Sequence, residues 1–207
     1  MRIIQLEQAG VIVETAAGYR VAIDIGSYTP VEKLADMSAD AMLVSHLHRD
    51  HFSIPQIQVL APTTVYLNRE CIDLWGDESA KSHIVEVKVG DSRDIGGGVH
   101  VTFFEVDHGP NVTTKPKENF GFLLEADGKR LYFGGDIFYP SGINVSTLEV
   151  DYALLPVGGF YTFGPAKAVA FAKQFKHIGA LLPMHYNMRP EAKDEFLSLA
   201  KSAGLAV

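Results

Sequence analysis

The sequence of 207 residues contains almost no cysteine: Cys71 is the only one, so no internal disulfide can form. It has no uninterrupted apolar stretch of ~18 residues, which argues against a membrane-spanning helix, and its first residues predict no signal peptide. Cationic residues are also scarce, since 18 Lys and Arg against 25 Asp and Glu give a net charge of −7. This balance argues against a surface for nucleic acid. We therefore expect a cytoplasmic protein with no membrane or nucleic-acid partner, in which Cys71 is an inert packing residue of a helix.

Apolar residues are abundant enough for one substantial core. They make up 47% of the chain, which fits a single domain over residues 1–207. An internal similarity recurs at a constant offset of 111 residues (121−10 and 151−40), matching Gly10 with Gly121 and Asp40 with Asp151. The constant offset predicts two similar halves, roughly 1–110 and 111–207, related by a pseudo-two-fold axis. The alternative is that hairpins with glycine turns look alike by chance.

The periodicity of the apolar residues predicts alternating strands and helices. Strands are expected near residues 2–6, 10–15, 19–25, 41–45, 63–67, 84–87, 98–106, 119–126, 130–134, 151–156 and 180–184. Helices are expected near residues 31–37, 54–60, 69–75, 165–175 and 190–203, and residues 107–118 are expected to form a loop between the halves. The pattern is typical of an α/β (α+β) protein folded as a four-layer αββα sandwich with two pseudo-symmetric halves.

A short window after one predicted strand is rich in metal-binding residue types. It contains His46, His48, Asp50 and His51, directly after the apolar run Ala41–Val44. Three protonated imidazoles so close together would repel one another, whereas a divalent cation prefers neutral imidazole and ionised carboxylate as ligands. The alternative is a solvated loop that happens to be rich in histidine. We interpret the window as the start of a metal site.

Three further residues of the same types stand in similar surroundings. His108, Asp136 and His185 each follow a strand-like apolar segment. Sites built on a rigid sheet commonly lie where a strand gives way to a loop. The recurrence of that placement predicts that these residues join the first four in space.

The order of these residues resembles a known family. His-x-His-x-Asp-His, a single His, Gly-Asp and a late His resemble the ligand order of the metallo-β-lactamase superfamily. Two later segments, Leu154–Gly164 and Leu182–Asn187, resemble the small metal-dependent hydrolases of the UlaG-like and UPF0173 type. The resemblance runs from about Ile3 to Asn187 and implies the same αββα fold. Such hydrolases often carry a histidine in the turn after the first strand, and Gln8 occupies that position here.

The resemblance and the spacing together imply two metal ions, expected to be Zn²⁺, with Mn²⁺ or iron as alternatives. His46 and His48 would form one ligand set with His108, and Asp136 would bridge the two ions. The second set would contain Asp50, His51 and His185. Zinc lowers the pKa of a bound water towards ~7, which makes hydroxide available at neutral pH. Asp50 is the expected catalytic residue, since it could orient that hydroxide or move its proton.

Charge counting predicts the class of substrate. Two divalent ions contribute four positive charges, and Asp50, Asp136 and one hydroxide remove three of them. The floor of the site would therefore be positive, so we expect a small anionic or anion-forming substrate: an ester, a phosphoester or a lactone. The expected contacts to it are Tyr139, Phe160, Tyr161, Tyr186 and Asn187. The first three of these could equally be packing aromatics.

Two other functions on the same fold stay open at this stage, a redox di-iron protein and a non-catalytic module, and the chain could form a homo-oligomer. The related di-iron oxidoreductases typically place a glutamate where this sequence has His48.

Asp24 ends a predicted strand as Asp136 does. It could orient a ligand histidine by a hydrogen bond without binding the metal itself. The remaining histidines are interpreted as ordinary polar residues, namely His83, His100 and His177.

Overall fold

Short, strongly apolar strands make up most of this chain, and they assemble into two sheets. The computed structural model describes residues 1–76, 84–140 and 142–207. The strands are β1 (Arg2–Gln5), β2 (Val11–Glu14), β3 (Arg20–Ile23), β4 (Ala41–Leu43), β5 (Thr64–Leu67), β6 (Ile84–Glu86), β7 (Ser92–Asp94), β8 (His100–Glu105), β9 (Phe120–Ala126), β10 (Lys129–Phe133), β11 (Glu149–Pro156) and β12 (His177–Met184). The helices are α1 (Val31–Leu34), α2 (Ile54–Leu60), α3 (Arg69–Trp75), α4 (Pro165–Ala172) and α5 (Glu191–Ser202).

The two sheets repeat one pattern of strand pairing. The first has the order β1-β2-β3-β4-β5-β6 and the second has the order β12-β11-β10-β9-β8-β7. In both, an antiparallel hairpin leads into parallel strands: β2–β3 precedes β4 and β5, and β9–β10 precedes β11 and β12. Glu14 pairs with Arg20 at the turn of the first hairpin, and Glu125 pairs with Arg130 at the turn of the second. The predicted pseudo-symmetry is therefore present in the register as well as in the sequence.

The chain passes from the first sheet to the second between Glu86 and Ser92, earlier than the predicted division at residue 110. The reason is that β7 and β8 pair with each other and β8 pairs with β9, all within the second sheet. β7 was not among the expected strands, because Ser92–Asp94 is a polar three-residue edge with no apolar alternation. That residues 1–207 form one domain stays a prediction.

Apolar residues fill three layers of packing. Between the sheets, Val13 and Ile23 of the first sheet share a cluster with Phe103, Phe122 and Phe133 of the second. A second cluster lies between the second sheet and helices α4 and α5, and a third between the first sheet and helices α1 to α3. Helices therefore cover both outer faces of the paired sheets, and the predicted αββα sandwich is confirmed.

Cys71 lies in α3 and is fully buried, as predicted. The Asn68 side chain begins that helix by accepting a hydrogen bond from the Cys71 backbone N–H at 2.9 Å. Burial raises the pKa of the Cys71 thiol, which disfavours the reactive thiolate. Within the described residues, no helix combines the length and the apolarity that crossing a bilayer requires.

Candidate metal centre

The seven predicted ligand residues lie together at one end of the sandwich. His46 follows β4, His108 follows β8, Asp136 follows β10 and His185 follows β12 directly. The Phe120 backbone N–H donates to the Ser45 carbonyl oxygen at 3.0 Å, which ties the histidine-rich window of the first sheet to the second sheet. Residues from both sheets therefore converge on one site, as strand ends at a common edge are expected to do.

Unusual backbone conformations turn the side chains into the site. Gly135 has φ +53°, and a Cβ there would collide with the Phe120 carbonyl oxygen, so only glycine fits before Asp136. His185 has φ +58°, which is uncommon for a residue with a side chain. Its N–H donates to the Gln8 carbonyl oxygen at 2.8 Å, and this bond holds the strained turn. Such strain is typical of functional sites.

The ligand atoms form two groups that share one carboxylate. The first group contains His46, His48, His108 and Asp136, and the second contains Asp50, His51, Asp136 and His185; within each group the atoms lie within 4.8 Å of one another. We call these the first and second groups. Asp136 Oδ2 lies 3.1 Å from His108 Nε2 and 3.1 Å from His185 Nε2, and its Oδ1 lies 3.2 Å from His51 Nε2. Asp136 is thus placed to bridge two ions.

Hydrogen bonds behind the first group decide which ring nitrogens carry protons. His48 Nε2 lies 2.7 Å from the Thr114 carbonyl oxygen, which can only accept, so Nε2 is the protonated nitrogen. Ser45 Oγ donates its hydrogen to Asp24 at 2.6 Å and therefore accepts from His46 Nδ1 at 2.9 Å. The lone pairs of His46 Nε2 and His48 Nδ1 then face each other across 2.8 Å. That arrangement is repulsive unless a cation binds both nitrogens.

A hydrogen bond also fixes the orientation of a histidine in the second group. Asp24 Oδ2 lies 2.8 Å from His51 Nδ1, so that nitrogen donates and Nε2 faces Asp136. The buried atoms His51 Nε2, His108 Nε2 and Asp136 Oδ1 have no well-aligned hydrogen-bond partner in the described part of the chain. Leaving a buried polar atom unpaired costs roughly 1–3 kcal/mol, so three beside one another call for a ligand. The side chains as placed fit divalent cations.

The electrostatics of the metal-free protein differ between the groups. Burial, followed by the nearby imidazoles, lowers the pKa of His46 and His48, so both are neutral at pH 7. Burial also opposes protonation of His185, but the Asp136 carboxylate outweighs it and raises the pKa to about 9. The pKa of His51 is likewise raised against its burial by Asp136, Asp50 and Asp24. Protons therefore occupy the second group until a cation displaces them.

Gln8 forms part of the site in place of the expected family histidine. Its Nε2 donates to Asp50 Oδ2 at 2.9 Å and also lies 2.9 Å from His185 Nε2. The Gln8 backbone N–H donates to Asn187 Oδ1 at 2.9 Å, and Asn187 Nδ2 donates to Glu7 Oε2 at 3.0 Å. Both ends of the Asn187 amide are thus engaged within the protein. Asn187 therefore positions Gln8, and its contact with substrate stays a prediction.

A cleft of about 420 Å³ opens above the ligand groups. Tyr161 lines it and Phe160 lines a second cavity beside it, so both stand where a substrate contact is predicted. Tyr139 and Tyr186 line neither cavity: Tyr139 lies beneath Lys167 Nζ at 4.6 Å, and Tyr186 packs beside the outer cluster under α4 and α5. The geometry therefore gives no support to their predicted substrate contacts, which stay predictions.

The cleft also contains residues that sequence reasoning passed over. Arg49 lines it, between two ligands of the histidine-rich window, and Thr114 reaches it from the loop between the halves. The position of Arg49 inside the window was an available signal, whereas nothing local marked Thr114. Of the other histidines, His100 lies 2.7 Å from Asp94 and His177 is exposed, both away from the cluster, and His83 lies outside the described residues.

Comparison with known proteins identifies the family of this chain. The model of the β-lactamase superfamily domain matches residues 2–185. A UPF0173 metal-dependent hydrolase of Pelotomaculum thermopropionicum is 30% identical over 218 aligned positions, which cover 98% of this chain and 93% of the relative.

Two solved structures share the fold at low sequence identity. Igni18, a metallo hydrolase from Ignicoccus hospitalis, has a TM-score of 0.79 at 22% identity, covering 99% of this chain and 91% of its own. CmlA, a diiron β-hydroxylase from Streptomyces venezuelae, has a TM-score of 0.74 at 11% identity, covering 99% of this chain and 51% of its own. The resemblance predicted from the ligand order is confirmed: the chain belongs to the β-lactamase superfamily and, within it, to the UPF0173 metal-dependent hydrolases.

Proposed function

We propose that this metal-dependent hydrolase binds two divalent ions, one in each ligand group, and cleaves a small anionic ester, phosphoester or lactone. The single observation that carries the proposal is the 2.8 Å approach of His46 Nε2 to His48 Nδ1, because the hydrogen bonds of the opposite ring nitrogens leave a lone pair on each of these two atoms. The position of Asp136 in both groups supports two ions rather than one.

The residues around the ions have distinct roles in this proposal. When bound, the ions lower the pKa of a coordinated water towards ~7 and stabilise the oxyanion that forms during hydrolysis. Asp50 has 19% of its side chain exposed, in the cleft, so it can reach a proton there. The nearby His51 and His185 outweigh the burial of Asp50 and hold its pKa well below the usual range, which keeps it ionised as a hydrogen-bond acceptor that can orient a water. Gln8 orients this carboxylate through its 2.9 Å hydrogen bond.

The ligand set favours zinc over iron. It contains five imidazoles (His46, His48, His51, His108 and His185) and two carboxylates. Imidazole suits zinc, whereas di-iron oxygen chemistry commonly uses more carboxylate. The redox alternative predicts a visible absorption band of the purified protein, and the hydrolase proposal predicts none.

The function is tested by measuring metal content in protein purified without added metal, followed by assays on phosphodiesters, lactones and thioesters. We expect close to two equivalents of a divalent metal, with turnover of one anionic class that stops with a chelator and returns with Zn²⁺ or Mn²⁺. A full metal complement without turnover across the panel would favour the non-catalytic alternative. Turnover of neutral substrates alone would contradict the expected charge of the substrate.

Arg49 provides a test of the anionic substrate. Its side chain is exposed in the lining of the cleft, and none of the described carboxylates pairs with it. Because an exposed charge contributes about 1 kcal/mol at most, we expect Arg49→Gln to raise KM for the anionic substrate about fivefold, with kcat little changed. The comparison variant is Lys176→Gln, whose lysine pairs with Glu149 away from the cleft. An unchanged KM in Arg49→Gln would remove Arg49 from substrate recognition.

Metal binding at the second group is expected to depend more steeply on pH than binding at the first. A cation must displace the protons that the raised pKa values of His185 and His51 retain at pH 7, whereas His46 and His48 are already neutral. Affinity at the second group should therefore fall about tenfold per displaced proton for each unit that the pH drops. Calorimetric titrations in two buffers of different protonation enthalpy count the protons released. Equal release for both ions would contradict this assignment.

Asp24 is expected to act on metal binding through His51. It accepts hydrogen bonds from His51 Nδ1, the Ser45 N–H and the Ser45 hydroxyl, and it is fully buried. We expect Asp24→Asn to weaken metal binding by ~10–100-fold in competition with a chelator, because the amide offers a donor where the imidazole needs an acceptor. Asp94→Asn is the matched control, since Asp94 accepts from His100 outside the cluster. Unchanged metal affinity in Asp24→Asn would contradict the role.

A further inference from the structure

A second cavity of about 460 Å³ opens beside the metal cleft. We call it the side chamber; its lining consists of Gln8, Gly158, Gly159, Phe160, Tyr161, His185, Met188 and Arg189. Four of these, Gln8, Tyr161, His185 and Met188, also line the metal cleft. Its volume lies in the range of small-molecule pockets, ~300–1,000 Å³. A molecule whose reacting bond lies over the ligand groups can therefore extend a substituent into the side chamber.

The walls of the side chamber expose large apolar side chains. Phe160 is 70% exposed and Met188 is 72% exposed, in a chain that buries most of its large apolar residues. Phe160 is held in place: its φ is +56°, its carbonyl oxygen accepts from Asn111 Nδ2 at 2.8 Å, and its ring packs edge-to-face on Tyr161 at 4.6 Å. Adjacent apolar exposure of this kind marks a binding surface. The positive φ and these two contacts fix Phe160 in the wall of the side chamber.

The charge in this lining is already paired. Arg189 Nη2 lies 2.6 Å from Glu195 and its Nε lies 3.3 Å from Glu191, so its guanidinium is paired with two glutamates of α5. Two glycines without side chains form one wall of the side chamber. A Cβ at Gly158 would collide with the His185 carbonyl oxygen, and Gly159 has φ +76°, a conformation that favours glycine. The chamber is thus roomy, largely apolar and poorly suited to a charged group, in contrast to the metal cleft.

We infer that the side chamber binds an uncharged apolar substituent of the substrate, an aryl or branched alkyl group. This inference rests on the proposed function and narrows it. The substrate is an ester, phosphoester or lactone with its anionic or anion-forming group over the ligand groups and its apolar group between Phe160 and Met188. Selectivity among such substrates is then set by these two side chains.

The side chamber is tested with phosphonates of different substituents and with methionine-methyl NMR of the metal-loaded protein. The chain has five methionines, and a Met188→Leu variant identifies the signal of Met188. We expect propylphosphonate to bind roughly fifteenfold more tightly than methylphosphonate, because it has two more methylenes and each buried methylene contributes about fourfold. We expect phenylphosphonate to shift the Met188 methyl signal.

Substitutions then locate the effect. Phe160→Ser and Met188→Ser should both remove the advantage of the propyl and phenyl compounds over methylphosphonate. Phe160→Ser should leave methylphosphonate binding unchanged, because Phe160 lines the side chamber and not the metal cleft. Leu74→Ser is the matched control, because Leu74 is 58% exposed on α3, away from both cavities, and should change nothing. Equal affinities for all three phosphonates, with an unmoved Met188 signal, would overturn the inference while the proposed function stands.

A neutral probe separates the inference from the proposed function. 2-Naphthol added to the metal-free protein should still shift the Met188 signal, since it needs no metal. If phosphonate binding proves independent of metal, the proposed function fails, and the naphthol titration still decides the side chamber. A Met188 shift supports the chamber, and no shift overturns it.

Discussion

Asp136→Asn is expected to abolish binding of both metal ions and to lower hydrolysis by roughly 10³-fold. The carboxylate of Asp136 lies within 3.1–3.2 Å of imidazole nitrogens from both ligand groups, so its loss removes a ligand from each at once. Nearby imidazoles, His185 first, outweigh its complete burial and keep its pKa well below the usual range, so it is ionised and ready to bind cations. An amide of the same shape supplies no such charge. Metal content per chain should fall from two towards zero.

The control experiment shows whether the Asp136→Asn variant still folds like the parent protein. Thermal unfolding and circular dichroism in the presence of a chelator compare the variant with the parent when neither holds metal. Similar spectra with lost metal support the bridging role. Retention of both ions, with activity within a few-fold of the parent, would contradict it.

His48→Ala is expected to remove one ion and leave the other. His48 belongs to the first group only, and it is half-buried, so its truncation disturbs packing little. We expect metal content to fall from two to one per chain and hydrolysis to fall by about 10²–10³-fold, because one side of the developing oxyanion loses its stabilisation.

His177→Ala is the matched control for this variant, since His177 is an exposed histidine at the start of β12, away from the cluster. It should keep two ions and full activity. Loss of both ions in His48→Ala would show that the two groups bind metal as one unit. Two retained ions in that variant would contradict the ligand role of His48.

Much of the fold and site could be predicted because the relevant signals are local. The apolar run Ala41–Val44 predicts β4, and the histidine-rich window follows it directly, so strand and ligands are read from adjacent residues. Asp136 and His185 stand at strand ends in the same way. The pseudo-symmetric register followed from the repeated sequence: Glu14 and Glu125 differ by the offset of 111, and Arg20 and Arg130 differ by 110 because the second hairpin turn is one residue shorter.

The features that could not be predicted depend on contacts between distant segments. The side chamber forms where the loop of Phe160 meets the loop of Met188, and periodicity reports burial within one element rather than the meeting of two loops. Asn187 was expected to contact substrate, but its partners Gln8 and Glu7 lie at the other end of the chain. β7 is a short polar edge strand that is defined by its pairing with β8. Its composition contains no apolar alternation that would predict a strand.

The central claim is that seven side chains bind two cations at one place, and anomalous X-ray diffraction from crystals of protein purified without added metal tests it most directly. We predict two anomalous peaks ~3.5–4 Å apart, on either side of the Asp136 carboxylate, one contacted by His46, His48 and His108 and the other by Asp50, His51 and His185. Crystals of protein that retains metal, with the anomalous signal elsewhere and these side chains pointing apart, would contradict the account.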